Sequence, residues 1–96
     1  MNKKTILVIE DDEDMNDAYA SLLSKEYNVL TTLNTKEARK KLEENNVDLI
    51  ILDLMLPNES GKDFLLKLKK NPKYKSIRVL IVSIFMGMIN DKKSLS

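Results

Sequence analysis

Short runs of consecutive apolar residues, each closing on a polar side chain, set the narrowest limit on what this chain can fold into. Thr5 to Ile9 ends at Glu10 and Asp11, Leu49 to Leu52 ends at Asp53, and Ile77 to Val82 ends at Ser83. A strand with one wet face alternates apolar and polar residues; an uninterrupted run reads as a strand covered on both faces, as in a parallel sheet. Tyr27 to Thr32 alternates weakly and reads as a further strand. Between the strands the period changes to that of helices. Met15, Ala18, Tyr19, Leu22 and Leu23 fall on one stripe, with the acids Glu10 to Asp14 at the N-terminus, where the helix dipole favours negative charge. Asn34 with Glu37 three residues on predicts a helix over Lys36 to Asn45. Leu54 to Glu59 contains Pro57 and reads as a loop. Ser60 with Asp63 starts a helix that turns Phe64, Leu65 and Leu68 inward and ends at Asn71-Pro72. The order βαβαβαβ predicts an α/β fold, a doubly wound parallel sheet with right-handed crossovers.

Composition removes whole classes of function. At 96 residues the chain is one domain, too short for a second core. Sixteen Lys and Arg against fifteen Asp and Glu leave a net charge of +1, so no global field recruits nucleic acid or an anionic membrane. The basic run Lys67, Lys69, Lys70, Lys73 and Lys75 has only Tyr74 interleaved and reads as a solvated face. The absence of Cys and His excludes thiol chemistry, disulfides and imidazole ligands, leaving carboxylates, hydroxyls and amines. Lys3-Lys4 before Ile6 to Ile9 resembles a signal peptide, but the apolar run is shorter than the ~7 residues such a segment needs. No stretch approaches the ~18 apolar residues of a membrane span. The expectation is a cytoplasmic protein.

In an open parallel sheet, ligands bind beyond the carboxyl ends of the strands. Glu10 and Asp11, Asp53 and Ser83 all sit at such ends. Carboxylates ~5 Å apart repel by ~3 kcal/mol per pair at an effective dielectric of ~20. A hard divalent cation such as Mg²⁺ relieves that repulsion. A carboxylate beside Mg²⁺ can act as nucleophile toward a phosphoryl group, and Ser83 offers a hydroxyl to a phosphoryl oxygen. Asp12, Glu13 and Asp14 read as helix cap and surface, Asp48 as a strand-entry residue, and Gly61 as a backbone requirement at a tight helix start.

Together, Ile6 to Asp12, Asp48 to Pro57 with Gly61, and Val79 to Ser83 resemble the receiver domain of two-component response regulators. The resemblance runs from Lys4 to Ser83. It implies a flavodoxin-like sheet, Asp53 as phosphoacceptor, Asp11 as direct ligand of Mg²⁺ with Glu10 acting through water, the backbone carbonyl of Met55 completing the metal site, and Ser83 as switch hydroxyl. It also implies a sensor histidine kinase as phosphodonor and a signalling module in place of a turnover enzyme. Receiver domains carry a Lys followed by Pro, and an aromatic residue, on a fifth strand ahead of a last helix. Residues 84–96 have room only for a short helix or tail. The expectation is therefore a receiver-like unit over 1–83 with strand order 2-1-3-4, its fifth strand and last helix missing. Ile84 is bulky where the family has a small residue. The fourth strand becomes an edge, which suggests a homodimer through that strand or through residues 84–89. The alternative function is a degenerate dimerisation or interaction module that is not phosphorylated. A haloacid-dehalogenase-like phosphatase is disfavoured because Met55 stands where that family has a second Asp. A dinucleotide site is disfavoured because acids replace the Gly-rich turn.

Overall fold

The computed structural model describes residues 3–56 and 58–82. Seven elements alternate along them: β1 (Thr5–Ile9), α1 (Glu13–Leu23), β2 (Asn28–Thr32), α2 (Thr35–Glu44), β3 (Leu49–Asp53), α3 (Gly61–Lys70) and β4 (Arg78–Val82). The strands form one parallel sheet in the order β2-β1-β3-β4, as the sequence predicts. Ser83 and residues 84–96, with the expectations attached to them, lie outside the described residues.

The two central strands explain their unbroken apolar sequences. Leu7, Ile9, Ile50 and Leu52 point to one face and pack with Ala38 and Leu42 of α2 and Phe64 and Leu68 of α3. Ile6, Val8 and Ile51 point to the other and meet Tyr19 and Leu23 of α1. All seven of these strand residues are buried. The edge strands differ because each has one neighbour: β2 is buried only at Thr32, and β4 leaves Leu80 and Ile81 about half exposed. The Ile77 to Val82 run has the composition of a strand covered on both faces, but, as the expected strand order implies, β4 lies at the edge of the described sheet, where position and not an apolar run decides burial.

Local signals hold where short-range hydrogen bonds decide the conformation. Asn34 Oδ1 accepts from the Glu37 amide at 2.9 Å and Ser60 Oγ from the Asp63 amide at 3.1 Å, so both caps form as the spacing predicts. Asp48 Oδ2 accepts from the Thr5 amide at 2.8 Å and ties the entry of β3 to β1. The stripe on α1 is corrected by about one position. Ala18 and Leu22 are exposed, Leu22 at 78 %, and the inward residues are Asn16, Tyr19 and Leu23. Asn16 turns in with its Nδ2 donating to the Glu10 carbonyl at 2.8 Å and to the Thr32 carbonyl, which also takes the Glu10 amide, at 3.3 Å. No described helix is long and apolar enough to cross a membrane.

Candidate functional site

β1 and β3 are hydrogen-bonded neighbours with Ile9 opposite Leu52, so the residues that follow, Glu10 and Asp53, emerge side by side at the carboxyl edge of the sheet. Asp11 completes the group. One carboxylate oxygen from each of Glu10, Asp11 and Asp53 lies within 4.8 Å of the others, with Glu10 buried, Asp53 half-buried and Asp11 exposed. Three of the sequence-predicted site residues are thus brought together, and Met55 follows two residues after Asp53 with its amide donating to Asp53 Oδ1 at 2.9 Å. Ser83 falls outside the described residues.

Each acid is held by its own element. The Glu10 amide donates to the Thr32 carbonyl at 3.0 Å, extending the β1–β2 ladder by one bond. Thr32 Oγ1 donates to the Val8 carbonyl at 2.8 Å, and Asn16 closes the corner from α1. Asp12 is the N-cap of α1, its Oδ1 accepting from the Asp14 and Met15 amides, so it serves the helix as expected. On the β3 side the loop after Asp53 folds back tightly. The Gly61 amide donates to the Leu54 carbonyl at 3.1 Å, and a Cβ at Gly61 would stand 2.5 Å from the Asp53 carbonyl oxygen. Asn16, Thr32 and Gly61 therefore fix the frame in which the acids meet. The sequence signalled only Gly61 in this role.

The electrostatics are those of an uncompensated acid pocket. Among the described residues, the ion pairs are those of Arg39 and Lys67 with Glu59, and none involves Glu10, Asp11 or Asp53. Burial pushes the Glu10 carboxyl up from 4.5 to about 7. The hydrogen bond it shares with Asp11 and the charge of Asp53 add to the rise, while the Asp12 amide, donating to Glu10 Oε2 at 3.1 Å, opposes it. Burial and the charges of Glu10 and Asp53 also raise the Tyr19 hydroxyl on the flank of α1. Hard oxygen donors converging with no ion pair to a basic side chain among the described residues are the donor set that Mg²⁺ takes.

The shift has a measurable consequence. The folded chain holds the Glu10 proton to a higher pH than the unfolded chain does. The stability from that proton is fully present below about 4.5 and is lost as pH rises through about 7. A divalent cation held by these acids would compete with the same proton. The apparent Mg²⁺ affinity is therefore expected to rise about tenfold between pH 6 and pH 8 and then to level off. Calorimetric titration checks this, and an affinity independent of pH across that window contradicts it.

Comparison with known proteins agrees with this geometry. The family model described as "Response regulator receiver domain" matches residues 6–95. The hybrid signal transduction histidine kinase D of Dictyostelium discoideum is 35% identical over 82 residues, covering 85% of this chain and 5% of that protein. The response regulator TrrA of Thermotoga maritima, solved in complex with Mg²⁺ and BeF, superposes with a TM-score of 0.77 at 30% identity, covering 96% of this chain and 79% of that one. The phosphorylated cyanobacterial phytochrome response regulator RcpA superposes with a TM-score of 0.79 at 26% identity, covering 97% and 74%. The chain spans only 5% and 6% of the length of two curated relatives that it matches.

Proposed function

The chain belongs to the response regulator receiver domain family, and from that premise we propose that it accepts a phosphoryl group on Asp53 from a sensor histidine kinase with Mg²⁺ as cofactor. The observation that carries this reading is the convergence of Glu10, Asp11 and Asp53 at the carboxyl ends of β1 and β3, with no basic partner among the described residues. Asp11 and Asp53 would hold the ion through carboxylate oxygens, Met55 through its backbone carbonyl, and Glu10 through water. When bound, Mg²⁺ neutralises the acids and the incoming phosphoryl oxygens.

The chain's own groups supply orientation and the nucleophile. The Met55 amide on Oδ1 fixes the rotation of the Asp53 carboxylate. An Asp53 oxygen attacks phosphorus, the P–O bond of an acyl phosphate forms, and the P–N bond of the donor phosphohistidine breaks. The leaving imidazole takes up a proton from water. In this reading the chain is a stoichiometric acceptor whose phosphorylated form is the signal, and it is not a turnover enzyme. The deprotonated state of Glu10, favoured above pH 7, is the one that receives the ion.

Purified chain incubated with acetyl phosphate and Mg²⁺ is expected to gain one phosphoryl mass, and excess EDTA is expected to prevent the gain. Folded protein with no adduct would transfer the assignment to the interaction module, for which the outer edge of β4, with Leu80 at 52 % and Ile81 at 45 % exposure, is the surface to test.

A further inference from the structure

The loop that carries Met55 runs from Leu54 to Ser60, between the end of β3 and the start of α3. Among the described residues it has few polar tethers. The Met55 amide is bound to Asp53 and the Gly61 amide to the Leu54 carbonyl, both at its base. At its far end Ser60 caps α3, its Oγ accepting from the Asp63 amide and its carbonyl from the Phe64 amide; between these ends the loop is tethered by Glu59, whose side chain is only 16% exposed. Its carboxylate lies between two helices. Arg39 of α2 approaches Oε1 at 2.8 Å and Oε2 at 3.0 Å, and Lys67 of α3 donates to Oε2 at 2.8 Å.

Arg39 is itself fixed. Its guanidinium carbon sits 5.2 Å from the centroid of the buried Phe64 ring, and Nη1 reaches Thr35 Oγ1 at 3.5 Å. One guanidinium nitrogen, Nη2, lies against both carboxylate oxygens and hydrogen-bonds Oε2, which also takes Lys67, while Oε1 is paired with Arg39 by charge alone; the two cations hold the Glu59 carboxylate between them. These contacts, the Lys67 bond foremost, hold the Glu59 carboxyl down at about 2, so it is ionised throughout the range in which the acid pocket binds a cation. The network touches none of Glu10, Asp11 and Asp53, so it cannot act by neutralising them.

We propose that Glu59 is a positioning residue for the metal site: clamped between Arg39 and Lys67, it holds the loop so that the Met55 carbonyl stays where a divalent cation needs it. The inference rests on the acceptor reading for the role of Met55, and it adds a residue remote from the acids on which cation binding depends. Groups that hold a metal ligand in place change affinity although they never touch the ion.

The test uses the full chain. In Glu59→Gln, calorimetric titration with Mg²⁺ is expected to show about tenfold weaker binding. Without Mg²⁺, the amides of Met55 and Leu56 are expected to exchange hydrogen faster, while circular dichroism remains that of the parent. Glu59→Asp, which keeps the charge, is expected to recover part of the affinity. Lys67→Gln alters a side chain that is 69% exposed, so it is tolerated if Glu59→Gln does not fold, and it is expected to shift both readouts in the same direction. Parental affinity together with parental exchange in the folded variant overturns the proposal. If the parent chain itself binds no Mg²⁺, it is the acceptor reading that fails, and the exchange rates alone decide the clamp: faster exchange in the variant supports it and unchanged exchange overturns it.

Discussion

Asp53→Asn is expected to abolish the phosphoryl adduct while leaving the fold intact. The amide has nearly the shape of the carboxylate and its oxygen can still accept the Met55 amide at the place where Oδ1 now does, so the loop keeps its anchor. What disappears is the nucleophile, because an amide oxygen does not attack phosphorus at a useful rate. A second effect runs opposite to the usual expectation for an active-site change. Asp53 is one of three acids sharing a pocket, and its charge helps to raise the Glu10 carboxyl. Removing it lowers the Glu10 pKa and relieves repulsion. Without Mg²⁺ at pH 8 the variant is expected to be more stable than the parent by about 1 kcal/mol, the scale of a close charge pair near water. Intact mass reads the first effect and thermal unfolding in EDTA reads the second. An adduct that persists in Asp53→Asn places the acceptor elsewhere, and a variant less stable than the parent contradicts the acid-pocket account.

Gly61→Ala is expected to be the most damaging single methyl that can be added near the site. The new Cβ would stand 2.5 Å from the Asp53 carbonyl oxygen and 2.6 Å from the Leu54 Cα, and both are backbone atoms with no side-chain freedom to retreat. Overpacking of this kind costs about 3 kcal/mol. For a domain of this size that is a fall in Tm of roughly 15 °C. The cause is close approach and not backbone conformation, since Gly61 does not have a positive φ. The two causes separate experimentally. Asn, which tolerates left-handed conformations, would rescue a conformational glycine; here Gly61→Asn is expected to be at least as harmful as Gly61→Ala. The atoms forced to move carry Asp53 and Leu54, so the folded fraction of either variant is also expected to bind Mg²⁺ more weakly. Normal stability in Gly61→Ala would show that the β3–α3 loop is slack.

The contrast between Gly61 and Asn16 shows what the sequence could reveal. Glu10, Asp11 and Asp53 are legible because two unbroken apolar runs locate the central strands, and the carboxyl ends of such strands are where side chains converge. The caps at Asn34 and Ser60 are legible because partner and donor are three residues apart. Asn16 and Glu59 are not, because their partners are distant in sequence: Asn16 binds the Thr32 carbonyl and Glu59 binds Arg39 and Lys67. Apolar periodicity assigned Ala18 and Leu22 inward on α1, yet a small or rim-facing apolar side chain can remain in water at little cost. Asn16 is held inward by the two bonds its Nδ2 donates to the carbonyls of Glu10 and Thr32, although its own Oδ1 is buried without a partner among the described residues. The edge character of β4 was legible only through the strand order that the family resemblance supplied, since its composition is that of a central strand.

Three successive acids at the end of β1 face three different places. Glu10 is buried and takes the Asp12 amide, Asp11 looks into the pocket, and Asp12 caps α1. Exchanging one acid for another at this corner is therefore not a conservative change. Asp at position 10 would draw that carboxylate back by one methylene from the pocket it shares with Asp11 and Asp53, and Glu at position 12 would lose the compact loop that caps the helix. Shifting the tripeptide by one residue would assign every carboxylate another's task without altering charge, hydropathy or length. The corner is spelled by the order of its letters, and two chains with the same composition here can be as different as a word and its anagram.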